Sequence, residues 1–580
     1  MKSFIFNPGD ESYRIDLDSK YYVDKTDLIY YLNGLINTED RFISVSRPRR
    51  FGKTVTVNML TAYYSYSENK TTIFNDKNIG AIYDEQNKNY KYLNEFNVIN
   101  LVMNEYFANC SVEEGIKKMV NKIIKEIETS IKGIEFPKVE SIVDIFETLY
   151  NKTGRKIVFI VDEWDYVLRH FNDETSAYKY LEFLNTFLKD KENIALAYIT
   201  GILPLKKNKE QSSLNNFIDF SMVLPSWTAK YFGFTDDEVK ELCEIHKQIE
   251  IENSNYEIDE IIKKRKKNNG KITITRTDNK EIRNTKEKKK VEICYNDLKN
   301  WYNGYELADR NHRVYNIYSP YSIVNAFQLG YIKNYWINSV SSSLLKDYVK
   351  LNYDGLKEDI VILMKRNRIK ININTYQNDM SLFENKDDVL TMLIHLGYLG
   401  YDIEKSEVFI PNKEILGDYE NCTKSSNWSV LFKIYQQSKT LLQETWKCNK
   451  EKVASLIEDA HGTVDNKTYN SEAALKYAIL FAYYAANEYY TIIPEMYSGK
   501  RYTYVYFIPV NKIHPALVVE LKYNKTAETV ISQIKQKNYP QRLIHYKENL
   551  ILVGINYDRT VKNNVVEFKH HSCEIEKHKF

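Results

Sequence analysis

The sequence has few cysteines, glycines and prolines, and it has no long apolar run. Six cysteines are spread over 580 residues without a CxxC pair, which excludes a disulfide framework or a zinc ribbon and indicates reduced thiols. No run reaches the roughly 18 apolar residues that a membrane helix needs, and acidic residues precede any apolar region at the start, unlike a secretory signal. We therefore expect a soluble intracellular protein, cytoplasmic or nuclear, neither secreted nor membrane-bound.

An excess of charge of one sign is also absent. Lys and Arg number 81 and Asp and Glu number 78, for a net charge of +3. Such a chain lacks the global field of a purely electrostatic nucleic-acid binder, so any polyanion site must be local. Apolar residues make up 43% of the chain, and at about 150 residues per domain the length predicts about four compact units.

The pattern along the chain divides it into four parts. Residues 1–240 alternate helical stretches with short β-branched runs, which predicts an α/β domain with a mostly parallel sheet. Residues 247–290 are lysine-rich and predict a solvated, mobile insertion, or alternatively a basic arm that contacts phosphates. Residues 291–430 predict a helical or mixed middle region, and residues 431–580 a small α/β module that ends in the strand NLILVGINY.

The segment SVSRPRRFGKTVTVNML at 44–60 predicts a strand, a tight basic turn and a helix. In a phosphate-binding loop, backbone N–H groups and a helix N-terminus hold phosphate, a Lys reaches the terminal phosphates and the next hydroxyl ligates Mg²⁺. Gly52, Lys53 and Thr54 fit these three positions. The alternative is a basic turn with a helix-capping Thr.

The usual first glycine of such a loop is missing, because its position is occupied by Arg47. Direct charge from Arg47, Arg49 and Arg50 could compensate for it. We therefore include Arg50 among the candidate nucleotide-binding residues, with Gly52, Lys53 and Thr54.

Two further strands end in polar residues that suit the same chemistry. IVFIVDEWD at 157–165 ends its apolar run in Asp162 and Glu163, which predicts a carboxylate for Mg²⁺ and a second carboxylate that polarises the attacking water. IALAYITG at 194–201 ends near Thr200, which could sense the terminal phosphate. The alternatives are an acidic pair that begins a helix and a structural threonine.

A second candidate site lies near the C-terminus, in the strand PALVVELKY. Its alternation places Glu520 and Lys522 on one face. A carboxylate that binds a divalent metal beside an ammonium that activates water is the combination needed for phosphodiester hydrolysis. An exposed strand with two opposite charges is the alternative.

Several motifs in order resemble the AAA-ATPase-like family that is found fused to a PD-(D/E)XK nuclease-like domain. They are YYVDKTDLIYYL, SRPRRFGKT, IVFIVDEWDYVL, YITGILPL, SSLNNF, FGFTDDEV, LKNWYNGY and VYNIYSPYSI, over roughly residues 15–340. Members of that family also have Arg in place of the first loop glycine. The resemblance implies a P-loop ATPase domain with ATP and Mg²⁺ as cofactors, in which Gly52, Lys53 and Thr54 form the nucleotide loop and Asp162 and Glu163 the metal and water pair.

The C-terminal part resembles the nuclease-like domain of the same family through YNSEAAL, GKRYTYVYFIP, PALVVELKY, TVISQIKQKNY and ILVGINYD. The resemblance implies a metal site in which Glu472 is the helix-start carboxylate and Glu520 with Lys522 is the ExK pair, with Gln533 on the next helix facing it. Glu472 also suits a helix N-terminus for dipole reasons alone.

The middle carboxylate of that site is replaced, because the family's Asp falls on Tyr504. A hairpin centred near Lys512 predicts that Tyr504 lies directly opposite Glu520. A phenol is a poor Mg²⁺ ligand compared with a carboxylate, and whether Glu495 reaches the site is open. We therefore expect weak or absent cleavage with the fold retained.

Three functions remain open from the sequence. The first is an ATP-hydrolysing enzyme coupled to a nuclease-like domain that engages DNA or RNA. The second is a nucleotide-switched protein that binds nucleic acid without cutting it, and the third is an interaction scaffold with both sites decayed. A homo-oligomer is a candidate assembly, but no residue identifies an arginine finger.

Overall fold

The computed structural model forms two compact units, Met1–Tyr419 and Glu420–Phe580. It describes residues 4–580 except for 86–89, 137–140, 172, 189–190, 206–213, 269–292, 337–344, 346–347, 349–352, 354–355, 377–382, 426–428, 463–481, 484–485, 487–488, 497–502, 510–512, 524–525, 537–545, 547–548, 559–570 and 579–580.

The N-terminal domain alternates strands and helices, as the sequence predicts. Its strands are β1 (Phe42–Ser46), β2 (Asn97–Val102), β3 (Ile157–Asp162), β4 (Ile194–Gly201) and β5 (Ile218–Phe220). Its helices are α1 (Glu11–Leu17), α2 (Asp27–Leu35), α3 (Lys53–Tyr64), α4 (Asn78–Glu85), α5 (Asn104–Phe107), α6 (Val112–Ser130), α7 (Ile142–Thr153), α8 (Tyr166–His170) and α9 (Glu174–Leu188).

The five strands form one parallel sheet in the order β2-β3-β4-β1-β5. Every residue of β3 is buried, and successive residues contribute to opposite faces. Phe159 and Val161 join the apolar cluster that contains residues of α6, α7 and α9, whereas Val158 and Ile160 join the cluster that contains residues of α2, α3 and α4. Burial on both faces explains the continuous apolar runs of these strands.

Local sequence sets the ends of two covering helices. Ser111 and Glu114 form a capping box at the start of α6, and Ser141 and Asp144 do the same for α7. Such caps satisfy backbone N–H groups that the first helical turn leaves unpaired.

The strand order positions the predicted site. Strand β4 lies between β1 and β3, and Thr200 is in register with Val45 on one side and with Asp162 on the other. Because the strands are parallel, the turn after β1 and the acidic residues at the end of β3 lie at the same edge of the sheet.

The rest of the first unit combines helices with short strands, a content that the predicted helical or mixed middle region allows. It contains β6 (Phe234–Thr235), α10 (Asp236–Asn268), α11 (Tyr295–Tyr302), β7 (Tyr305–Ala308), β8 (Val314–Tyr318), α12 (Pro320–Leu329), α13 (Leu356–Met364), β9 (Ile369–Lys370), α14 (Lys386–Leu396), β10 (Gly400–Asp402), β11 (Glu407–Phe409) and α15 (Lys413–Ser425). Two three-stranded sheets, β6-β8-β7 and β10-β11-β9, are antiparallel. Strands of only two to five residues are too short for the periodic pattern from which strands are predicted in a sequence.

The lysine-rich segment begins inside α10, which continues to Asn268. The remainder of the predicted insertion, 269–290, lies outside the described residues.

The second unit contains α16 (Ser429–Trp446), α17 (Lys450–Gly462), β12 (Tyr490–Met496), β13 (Thr503–Pro509), β14 (Ala516–Tyr523), α18 (Ala527–Gln536), β15 (Leu550–Tyr557) and β16 (His571–His578). These strands form one sheet in the order β12-β13-β14-β15-β16, in which β14 and β15 are parallel and the other pairs are antiparallel. The prediction that NLILVGINY is the last strand is wrong, because β16 follows it and pairs with it.

The two faces of this sheet carry separate apolar clusters. Residues of α16 and α17 pack on one face with Leu517, Val519 and Leu521, and residues of α18 pack on the other with Ala516 and Val518. Among the described parts of both units, helices that combine the length and the apolar character needed to cross a bilayer are absent.

Candidate functional site

The turn between β1 and α3 has an unusual backbone. Arg50 and Gly52 both have positive φ, at 69° and 83°, and Gly52 is the N-cap of α3. Glycine adopts this conformation without cost, whereas a residue with a side chain, such as Arg50, is strained in it. The turn therefore leads the chain into α3, whose start, like that of any helix, has backbone N–H groups without partners inside the helix.

Lys53 is the first residue of α3 and is only 9% exposed. Its Nζ donates hydrogen bonds to the carbonyl oxygens of Arg47 at 2.9 Å and Pro48 at 2.8 Å. Burial lowers the pKa of Lys53 to about 8, and the negative charge of Asp162 opposes this shift. The ammonium thus lies within the turn itself, where a bound phosphate would meet it.

Thr54 and Asp162 are separated by 108 residues but meet at this edge of the sheet. The Thr54 hydroxyl donates to Asp162 Oδ2 at 2.9 Å, and the backbone N–H of Glu163 donates to Oδ1 at 2.9 Å. Asp162 is 3% exposed. Burial raises its pKa, while the Lys53 charge and the Thr54 hydrogen bond oppose that rise.

This pair supplies the donor set that Mg²⁺ prefers. A hydroxyl and a carboxylate are hard oxygen ligands, and Mg²⁺ commonly takes one or two such ligands from the protein and the rest from phosphate and water. Among the described residues, no group of three or more His, Cys, Asp or Glu side chains lies close enough together to hold a metal ion. The Thr54 hydroxyl and the Asp162 carboxylate fit a metal that is held jointly with a phosphate ligand.

Glu163 differs from Asp162 in its surroundings. Its backbone has positive φ at 53°, and its side chain is 38% exposed. One carboxylate oxygen lies 3.9 Å from Nη2 of Arg169. The adjacent acids at the end of β3 thus have separate positions, one buried against Thr54 and the other open to solvent.

Thr200 lies between the turn and the acidic pair, but its hydroxyl is engaged within the sheet. It is fully buried and donates to the carbonyl oxygen of Val45 at 2.8 Å. A role in sensing phosphate would require that hydrogen bond to break.

Arg47 does not compensate for the missing glycine by direct charge, which corrects that expectation. Its guanidinium is fully buried and donates to the carbonyl oxygens of Ser46 and Phe220 and to the hydroxyl of Thr228. Burial lowers the pKa of Arg47 to about 10. Its role is to tie the turn to β5 and to the segment that follows.

Arg50 points to the middle region of the first unit. Its Nη1 donates to the carbonyl oxygen of Tyr335 at 3.0 Å, and its guanidinium lies 3.9 Å from the ring centre of Tyr321. Its contact with nucleotide remains a prediction, and in this structure the side chain anchors the turn.

Two more contacts hold the turn against the same region. The Phe51 ring packs edge-on to Tyr305, with 5.2 Å between ring centres. Gly397 lies so close to Pro48 that a Cβ on it would be 2.8 Å from the Pro48 Cβ. Residues far along the chain therefore set the shape of the turn.

Sequence reading missed Asp165 and Arg169. Asp165 Oδ2 accepts hydrogen bonds from the backbone N–H groups of Ile202 and Leu203, at 3.0 and 2.9 Å, and from Nε of Arg169 at 3.0 Å. Asp165 is fully buried and so connects α8 to the segment after β4. The i,i+4 spacing of Asp and Arg in DEWDYVLRH was the available signal.

The second candidate site is partly described. Glu520 is fully buried and lies 3.1 Å from the ammonium of Lys522. Tyr504 is paired with Glu520 in register, which confirms the predicted hairpin geometry. Glu495 is paired with Tyr504 on the neighbouring strand β12, so the row contains a second carboxylate residue. Gln533 lies on α18 and is half-buried, and Glu472 lies outside the described residues.

Comparison with known proteins finds a likeness for the N-terminal domain. Residues 10–209 match the family model described as "Predicted AAA-ATPase", so this part of the chain is similar to AAA-ATPase domains. No curated protein matches the sequence.

Three similar solved structures are distant in sequence. The Walker-type ATPase PABY2304 of Pyrococcus abyssi is 11% identical, with 68% of this chain and 94% of that chain covered and a TM-score of 0.33. CDC6P of Pyrobaculum aerophilum is 12% identical (69% and 93% covered, TM-score 0.23). The ORC2 protein of Aeropyrum pernix is 10% identical (73% and 97% covered, TM-score 0.28). At these scores the likeness does not extend to function.

Proposed function

We propose that the N-terminal domain binds ATP together with Mg²⁺ and hydrolyses it. The observation that carries the proposal is the 2.9 Å hydrogen bond between Thr54 and Asp162, in the helical turn that begins at the buried Lys53. These residue types in this arrangement match what a triphosphate and its metal require.

Each group has a separate task in this proposal. The N–H groups at the start of α3 and the Lys53 ammonium bind the phosphate oxygens, and Thr54 and Asp162 are the residues that would hold the Mg²⁺. Bound Mg²⁺ supplies charge neutralisation at the phosphates. Glu163, outside that buried group, orients the attacking water and accepts its proton.

Replacing Lys53 by Ala tests the binding step. Loss of a charge-assisted hydrogen bond to phosphate is expected to weaken ATP affinity about 10- to 100-fold, as measured by titration with a fluorescent ATP analogue and Mg²⁺. ATP turnover should fall at least as far.

The matched control is Lys70→Ala, because Lys70 lies in the same domain and forms an exposed ion pair with Glu95. Its affinity and turnover should equal those of the wild type. If Lys53→Ala binds and hydrolyses ATP as the wild type does, the proposed site is wrong. Background turnover in all three proteins would instead favour the scaffold function.

We further propose that the C-terminal unit is a nuclease-like domain that engages DNA or RNA. The buried Glu520 beside Lys522, in the central strand of the sheet, supports it. The pairing of Tyr504 with Glu520 supports loss of cleavage, because the position that would complete the metal site carries a phenol. Binding without cutting is therefore the proposed activity of this unit.

The change Tyr504→Asp tests the cause of that loss. If only this ligand is missing, the variant should gain nicking of plasmid DNA that depends on Mg²⁺ or Mn²⁺ and that the wild type lacks. Tyr504→Phe, which adds no metal ligand, is the matched control and should stay inactive. A folded Tyr504→Asp protein without any gain would show that the site has lost more than one ligand.

A further inference from the structure

Arg169 is a buried cation at the edge of the proposed ATP site. Its side chain is 6% exposed, and its Nε is bound to Asp165 at 3.0 Å. Its Nη2 lies 3.9 Å from the Glu163 carboxylate, too far for a hydrogen bond. Within the part of the chain that the structure describes, this guanidinium donates its hydrogen bond through Nε, to Asp165. Its two terminal nitrogens are therefore available to a ligand.

Arg49 approaches the same place from the phosphate turn. It follows Pro48, whose carbonyl oxygen binds the Lys53 ammonium. Its half-buried side chain is close enough to Arg169 for repulsion and to Glu163 and Asp165 for attraction. Burial, and then the charge of Arg169, lower the pKa of Arg49.

Two guanidinium groups are thus held near each other at a partly desolvated place. Such an arrangement costs free energy unless an anion neutralises it. The Asp165 carboxylate pairs with one of the two guanidinium groups, through Nε of Arg169, and the partly exposed Glu163 is not in hydrogen-bond contact. Among the described residues, the second guanidinium is thus left without a hydrogen-bonded anion. The positive charge of Arg169 also lowers the pKa of Lys53, so the two side chains are near each other. The cluster therefore borders the place where the terminal phosphate would lie.

We propose that Arg49 and Arg169 bind the terminal phosphate of ATP from within the same chain and stabilise the charge that develops on it during hydrolysis. This inference rests on the proposed function. When ATP binds, the Arg169 guanidinium contacts the terminal phosphate instead of lying near the Glu163 carboxylate. Glu163 is then left to orient the water. Guanidinium groups match phosphate geometry through paired N–H donors.

The reaction balances without any further reactant. The water oxygen forms a bond to the terminal phosphorus, and the bond from phosphorus to the bridging oxygen breaks with its electron pair left on ADP. The proton of the water passes to Glu163 and then to solvent. In consequence, hydrolysis needs no arginine from a second subunit, and turnover per chain is independent of protein concentration.

Arg49→Ala and Arg169→Ala test this assignment in the full-length chain. Each is expected to lower ATP turnover at least about 10²-fold, because arginines at a transferred phosphate contribute that much or more. ATP affinity should fall while ADP affinity stays unchanged, since ADP lacks the terminal phosphate. Arg14→Ala is the control, because Arg14 pairs with Asp10 on the surface, and it should behave as the wild type.

A mixing experiment separates action within the chain from action between chains. Arg169→Ala keeps Lys53, and Lys53→Ala keeps Arg169, so activity regained on mixing them would show that the arginine acts on a neighbouring chain and would overturn the proposal. Equal losses of ATP and ADP affinity would show a structural role and would overturn it too. Because Arg169→Ala removes a buried ion pair, the half-buried Arg49 provides an independent test. Wild-type protein that neither binds nor hydrolyses ATP would instead refute the proposed function itself.

Discussion

Glu163→Gln is expected to lower ATP turnover about 10²- to 10³-fold, in the range that general bases contribute, while ATP affinity stays close to that of the wild type. Glutamine has the size of glutamate but cannot accept a proton from water. Glu163 lies outside the buried group of Lys53, Thr54 and Asp162, and its side chain is 38% exposed. Catalysis and binding should therefore separate at this residue. Single-turnover hydrolysis and equilibrium titration with ATP measure the two effects.

The control for this change is Glu95→Gln, at an exposed ion pair with Lys70, and it should leave turnover unchanged. If Glu163→Gln hydrolyses ATP at the wild-type rate, a different group activates the water. If it loses ATP affinity as strongly as Lys53→Ala does, Glu163 contributes to binding and the separation of roles proposed for the two acids is wrong.

Asp165→Ala is expected to destabilise the N-terminal domain by about 3–5 kcal/mol, the cost of removing one partner of a buried ion pair. It leaves the Arg169 guanidinium and the N–H groups of Ile202 and Leu203 without their acceptor. The site is also tightly packed, because a Cβ on Gly201 would lie 2.7 Å from Asp165 Oδ1. Urea unfolding followed by tryptophan fluorescence, to which the buried Trp164 contributes, measures the loss.

Asp165→Asn keeps the size of the side chain and one oxygen acceptor, so it should cost less than Asp165→Ala. Asp237→Ala removes an aspartate that is 80% exposed and pairs with Lys240, and it should leave the unfolding transition unchanged. An Asp165→Ala protein as stable as the wild type would show that the segment after β4 is held by other contacts.

The strand, turn and helix around Lys53 could be predicted because their signals are local. A buried parallel strand is a continuous apolar run, and the structure has β1, β3 and β4 where such runs occur. The pairing of Tyr504 with Glu520 could be predicted for a similar reason, because the position of the hairpin turn allows only one register between its two strands. The roles of these residues stay predictions.

The arginines of the turn could not be assigned in the same way. Arg47, Arg49 and Arg50 are neighbours in the sequence, but Arg47 is bound to Phe220 and Thr228, and Arg50 to Tyr335, which is 285 residues away. A guanidinium binds whichever acceptors surround it, and those come from distant segments. Nothing in the order of residues states which arginine turns into the fold and which is left for a ligand.

The sequence by itself determined the α/β character of both units, the basic turn before α3 and the two acids at the end of β3, because apolar periodicity and turn chemistry act over a few residues. The tertiary structure decided that Thr54 meets Asp162, that Arg169 lies beside Glu163, and that β12 and β16 complete the C-terminal sheet. These contacts depend on strand order and on the packing of segments many residues apart. Only the folded chain brings such segments together, since a hydrogen bond or an ion pair forms over a few ångströms of space and not over a distance along the sequence.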